Sequence, residues 1–207
     1  MASKLDGLFR TLKWSDFTTV TKPVPKPGDL APGAFTDANI KLGSPKPNVA
    51  QVPGSRPAVW KLEDAVTVLI EFNGSSSWVA DWVFTLSQDK QDKLLKHEQG
   101  HYDMNALMGR DMFIALMDLK PTDFKTRNEG VQAVNKIINA NNTMVVKVRD
   151  AYENATKNGH DDTAQADWNG FFQTAFTTPR SPVRMTPDNK KVKITLLDVL
   201  KRQSVKL

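Results

Sequence analysis

Cysteine is absent from this chain of 207 residues. Disulfides and thiolate metal sites are therefore excluded, and any metal must be held by His, Asp or Glu. Histidine is scarce too: His97, His101 and His160 are the only three. No apolar run reaches the ~18 residues that mark a membrane helix, so no membrane span is expected. The opening residues, Met1-Ala2-Ser3-Lys4-Leu5-Asp6-Gly7, lead into no long apolar stretch, and no signal peptide is expected. The net charge is +5 and the pI about 9.3, but no basic stripe accounts for it. Lys and Arg are dispersed among acids, the densest cluster being Lys190-Lys191-Val192-Lys193. With no interleaving of basic and aromatic residues, a nucleic-acid partner is not expected. There is no internal repeat.

What is present suffices for a core, since 40% of the residues are hydrophobic. A single domain is expected over 1–207, with an extended N-terminal region (1–60), a central core (61–176) and a C-terminal tail or strand (177–207). Eight of the twelve prolines fall between Lys22 and Pro57. Proline removes backbone donors, so this stretch holds no long helix and either wraps the domain or links strands. Val66–Phe72 is β-branched and apolar, Asn73-Gly74 follows, and Ser77–Phe84 reads as a return strand. That pattern predicts a β-hairpin. Residues 88–119 predict a long helix: Leu94, His97, His101, Met104, Met108 and Met112 recur at steps of three and four, and Pro121 stops the run. Thr122 is the expected cap of a second helix over about 123–157, ended by Asn158-Gly159. Phe171, Phe172 and Phe176 suggest a further short helix, and residues 192–196 a late strand.

The first long helix carries the chemistry. Its motif is His97-Glu98-Gln99-Gly100-His101. Residues i and i+4 share a helix face one turn apart, so both imidazoles can point at one ion. Glu98, beside the first of them, can reach a water on that ion and take its proton. At this composition a chance match is expected in roughly one such chain per thousand. Gly100 costs the helix about 1 kcal/mol relative to alanine and clears space beside the site. The structural alternative is a pair of partly buried histidines on an amphipathic helix.

At these residues the sequence resembles a bacterial family of secreted zinc-dependent proteases classed as a domain of unknown function (DUF922). The likeness is carried by Leu94-Leu95-Lys96-His97-Glu98-Gln99-Gly100-His101-Tyr102-Asp103-Met104, by Ser77-Trp78-Val79 and by Trp14-Ser15-Asp16-Phe17. Downstream, Tyr152-Glu153, Thr156, Gly159, Gln165 and Trp168 fit the family's spaced pattern, so the resemblance spans about residues 14–168. It implies a zincin-like fold, peptidase activity and a secreted or periplasmic setting. One departure stands out: the family pattern has a histidine just before the glycine, where this chain has Asn158.

A catalytic zinc usually takes three protein ligands and a water. His97 and His101 supply two. His160 is the expected third, by elimination, because it follows a helix stop and a glycine that lets the backbone turn inward. Glu153 is the leading rival, followed by Asp161 and Asp162, which are also expected as partners orienting an imidazole. Tyr152 reads as a core residue that can also reach an oxyanion. Trp78 and Trp82 read as sheet packing or groove lining, and Asp103 and Asp111 as solvated positions or carboxylates behind the ligands. The sequence thus predicts an α+β, zincin-like zinc metallopeptidase acting on peptide or protein substrates, with Glu98 as general base. The alternative is a non-catalytic zinc-binding interaction or structural module.

Overall fold

A computed structural model describes residues 3–24, 32–44, 46–63, 65–177 and 194–207. The architecture is α+β, with small sheets at the N-terminal side and four helices after them. The strands are β1 (Lys4–Asp6), β2 (Thr18–Val20), β3 (Ala34–Phe35), β4 (Ala38–Leu42), β5 (Val49–Gln51), β6 (Trp60–Leu62), β7 (Thr67–Phe72) and β8 (Trp78–Ala80). The helices are α1 (Gln88–Leu119), α2 (Arg127–Thr156), α3 (Asp162–Thr177) and α4 (Leu196–Arg202). Among the described residues, no helix is long and apolar enough to cross a membrane.

The expected β-hairpin does not form. β7 is the centre of one sheet, parallel to β1 and antiparallel to β4, while β8 is the centre of another, parallel to β2 and antiparallel to β3. Both ladder edges of β7 are taken by strands from the proline-rich and N-terminal regions, so none is left for β8. Asn73-Gly74 does turn the chain, with Ser76 N and Ser77 N both donating to Asn73 O, but the turn passes it from sheet to sheet. The return strand is also shorter than expected, because Asp81–Thr85 winds into a 3-10 turn after Asp81 Oδ1 accepts from Trp82 N at 2.9 Å.

α1 occupies the expected span. It is buried on more than one side, which is why its apolar residues are so dense. Tyr102 and Ala106 pack toward the sheets with Phe17, Ile70, Val79 and Val83. Met104, Leu107 and Met108 pack against Val148, Tyr152, Trp168 and Phe172 of α2 and α3. Met112 and Leu116 close the far end with Val68 and Val134. Each such fully buried side chain contributes about 1.5–3 kcal/mol over its exposed state.

α2 starts later than expected, and Thr126 rather than Thr122 caps it. Thr126 Oγ1 accepts from Glu129 N at 3.2 Å, and Glu129 Oε2 accepts from Lys125 N at 3.0 Å, close to a capping box. The residues before it are drawn into a bridge in which Trp60 and Phe124 exchange backbone hydrogen bonds of 3.0 and 2.9 Å. Of the late strand expected at 192–196, residues 192 and 193 lie outside the described residues. Ile194 and Thr195 are not in a strand, and Leu196 opens α4, capped by Thr195 Oγ1 accepting from Asp198 N.

A buried charge pair fastens this C-terminal helix to α1. Arg110 donates to Ala175 O at 2.6 Å, to Ile194 O at 2.8 Å and to Asp111 Oδ1 at 2.7 Å, while Asp111 Oδ2 accepts from Leu196 N at 2.7 Å. Removing one member of a buried pair strands the other, which costs more than the pair itself is worth. Asp111→Ala is expected to lower the unfolding free energy by about 3–5 kcal/mol, read by urea denaturation. A loss under 1 kcal/mol would show that the clamp is not structural.

Candidate metal centre

His97 and His101 sit one turn apart on the buried stretch of α1, 3% and 8% exposed, with ring centroids 4.8 Å apart. α2 runs back along α1 and places Glu153 beside both. Glu153 Oε1 lies 3.0 Å from His101 Nε2, and Oε2 lies 3.4 Å from His97 Nε2. The potential ligand atoms of His97, His101 and Glu153 all lie within 4.8 Å of one another, so this buried group could hold a metal ion. Two imidazole nitrogens and a carboxylate oxygen fit zinc chemically, and the chain has no cysteine to offer a thiolate instead.

Glu153, not His160, is therefore the third residue of the group. His160 is exposed, in the turn after α2, with its backbone N–H on Lys157 O. Lys157, Asn158 and Gly159 all adopt positive φ there, which ends α2 abruptly. Gly159 packs on His97: a Cβ at that position would stand 2.9 Å from the imidazole Cγ. The aspartate rivals have other work. Asp161 Oδ1 caps α3 by accepting from Ala164 N at 3.0 Å, and Asp162 pairs with Lys93 at 2.6 Å. Neither Asp103 nor Asp111 backs an imidazole. Asp103 accepts from Gln99, whose side chain holds Leu12 N and Arg10 O of the N-terminal arm; burial pushes the Asp103 carboxyl up to about 6. Asp111 belongs to the clamp on α4.

A residue to which the sequence assigned no role orients the first candidate ligand. Gln165 of α3 donates through Nε2 to the Tyr152 hydroxyl at 2.9 Å and to Asn169 at 3.1 Å. Its Oε1 is left to accept from His97 Nδ1–H at 3.0 Å. This arrangement puts the lone pair of His97 on Nε2, facing Glu153, as a metal ligand requires. The signal was available: Gln165 is a polar residue in step with Trp168 and Phe172 on the apolar face of α3. Tyr152 is fully buried, stacks on His97 at 4.9 Å and donates to His97 O at 2.9 Å. Gly100 permits this, since any side chain there would collide with the tyrosine hydroxyl. Trp78 stacks with Phe35 and carries Lys22 over its ring, while Trp82 packs with the sheet cluster.

Glu98 is 2% exposed and its Oε2 is buried without a hydrogen-bond partner among the described residues. An unpartnered buried carboxylate oxygen is costly, by about 1–3 kcal/mol or more for a charged group, and is explained when the site holds something for it to bind. No family model, curated protein or solved structure matches the chain.

Two predictions follow from this geometry. In dialysed protein, Glu153→Ala is expected to lose metal, His160→Ala to keep it at wild-type level, and Gln165→Ala to weaken affinity by about 10–100-fold. Metal loss in His160→Ala with retention in Glu153→Ala would reverse the ligand assignment. The second concerns the metal-free chain. Burial opposes the His97 charge, but Glu153 and Glu98 beside it outweigh burial and raise its pKa above the usual 6.5. Burial likewise opposes ionisation of Glu153, and hydrogen bonds from His101 and His97 override it, holding that carboxyl well below its usual 4.5. The histidine contribution is complete below pH 6.5 and lost as pH rises through the raised value. The glutamate contribution is complete above pH 4.5 and lost as pH falls through the lowered one. Metal-free protein should thus gain stability when taken from pH 8.5 to 6, while metal-loaded protein should lose it as protons compete for the ligands. Thermal unfolding with and without chelator reads both signs; parallel profiles would show that no metal links to these residues.

Proposed function

We propose that the chain is a zinc-dependent metallopeptidase of zincin-like architecture, cutting peptide bonds with water. The observation that carries this reading is the convergence of His97, His101 and Glu153 with the unpartnered Glu98 carboxylate next to the first histidine. Two histidines and one glutamate are a known ligand set of catalytic zinc, and they leave a fourth position open. The resemblance of the His97–His101 segment and of its downstream pattern to the DUF922 proteases supports the same assignment.

The chemistry that zinc supplies when bound is a water of near-neutral pKa and a polarised scissile carbonyl. The protein's own residues do the rest. Gln165 and Tyr152 fix the His97 ring, and the buried helix face excludes bulk solvent. Glu98 takes the proton of the attacking water and hands it to the departing amine. A cleft of about 280 Å³ opens from His101 and Glu153 along α2, with the β3–β4 stretch as its other wall. Among the described residues β4 is a sheet edge, paired with β7, and such an edge can hold an extended peptide by backbone hydrogen bonds.

Glu98→Gln keeps size and hydrogen bonding but removes the proton acceptor. Digestion of a broad peptide library by zinc-loaded protein is expected to fall at least about a hundredfold in this variant, with zinc content unchanged. Zinc bound at full occupancy with no cleavage by either protein would instead favour the non-catalytic module.

A further inference from the structure

The geometry points to Arg149 as a carboxylate-recognising residue of the cleft, selecting peptides that present an acidic side chain or a free C-terminus close to the cut bond. This rests on the peptidase reading of the same cleft and adds the chemical class of its substrate. Arg149 lies one helical turn before Glu153 on α2, and both line the cleft together with His101, Asn105 and Asn142. Steps of three and four residues separate 142, 145, 149 and 153, which puts them on one face. Arg149 and Glu153 thus leave the helix one turn apart, with Cβ atoms ~5–6 Å from each other, so a group held by Arg149 lies alongside the candidate ligand rather than on it. That placement suits a neighbouring residue of a bound peptide rather than the reacting carbonyl.

The charges facing this space leave Arg149 open to a ligand. Its internal contact is with the adjacent Asp150 at 3.3 Å, both side chains more than half exposed, and exposed pairs of this kind are worth little. Asp37 is the aspartate among the residues lining the cleft. Its carboxylate is occupied by the amides of Asn39 at 2.7 Å and Asn73 at 3.1 Å, so it does not pair with the guanidinium. Glu153 faces the two imidazoles. Among the described residues lining the cleft, Arg149 is the one side chain that is always cationic. Its planar donors match a carboxylate in two-point geometry. The asparagines nearby offer amide groups suited to peptide backbone rather than a competing charge.

The test uses fluorescent hexapeptides identical but for one change, Glu against Gln within the peptide, or a free against an amidated C-terminus. Binding is read by anisotropy to the zinc-loaded Glu98→Gln chain, which does not consume the probe, and to metal-free wild type. The carboxylate member of one pair is expected to bind at least about tenfold tighter than its neutral partner. The pair that shows this separates an acidic side chain from a terminal carboxylate as the source. The preference should fall to near unity in Arg149→Gln, reverse in Arg149→Glu and return in part in Arg149→Lys, with zinc content unchanged throughout. Equal binding of both members in both pairs overturns the inference. So does a preference that survives Arg149→Gln, since that would be carboxylate binding at the metal itself. A chain that binds no zinc but keeps the Arg149-dependent preference leaves this inference standing and removes the peptidase reading.

Discussion

Glu153 reaches the two imidazoles because α2 returns along α1 in one fixed register. His101 meets Glu153 near the start of the contact, and Asn141 Nδ2 donates to Met108 O at 2.9 Å further along. Chain position rises on one helix as it falls on the other, so the two are antiparallel. The Asn141 bond is buried, and a buried amide donor is expensive to leave unmade. It therefore selects this register over neighbouring ones that pack the same apolar side chains. A slip of one residue would turn Glu153 by about 100° around its helix and remove it from the histidines. The local pattern places His97 and His101 together without help; the third member depends on helix packing.

The surroundings of the pair show a second consequence of that packing. An imidazole in an apolar core needs partners for both nitrogens, and α3 supplies what α1 and α2 cannot. Gln165 serves His97 Nδ1 while Tyr152 fills the gap above Gly100 and ties its hydroxyl to the backbone of the ligand helix. A helix otherwise weakened by glycine is thereby braced at the point where His97 projects. Trp168 and Phe172 pack on Tyr152 from α3, so the ring that stacks on His97 is itself held on two further sides. Of the downstream pattern, Tyr152, Glu153, Gly159 and Gln165 meet the His97 imidazole directly, while Thr156 and Trp168 hold Tyr152.

How much of this was legible in the sequence follows the range of each interaction. The span of α1 was readable because its periodicity is local and Pro121 ends it. The histidine pair and Glu98 were readable because one helical turn fixes their relation. Glu153 was visible as a rival, but choosing it over His160 required knowing how the chain leaves α2. Three consecutive positive-φ residues, Lys157, Asn158 and Gly159, turn it so that the glycine faces His97 and the histidine faces water. Asn158 and Gly159 announce that conformation by their type, but Lys157 does not. The hairpin failed for a related reason: strand pairing is decided by competition, and β1 and β4 reach β7 from 63 and from 26–34 residues away.

The failed hairpin also explains how the cleft keeps its second wall. Asn73-Gly74 was legible as a turn, and it is one, but Asn73 also ties it to Asp37 rather than to a strand paired with β7. Asn73 N donates to Asp37 O at 2.8 Å, Asn73 Nδ2 donates to Asp37 Oδ2, and Asp37 N donates to Ser77 Oγ at 2.9 Å. Next to this knot, Thr36 Oγ1 donates to Glu98 O at 3.3 Å, which joins the same stretch to the ligand helix beside the candidate base. The segment between β3 and β4 is thus tied to the turn on one side and to α1 on the other. An edge strand that is to take an incoming strand, as the proposed function asks of β4, cannot be steadied by a further strand on its open side. Here side-chain bonds at its N-terminal end do that work and leave the free edge of β4 available.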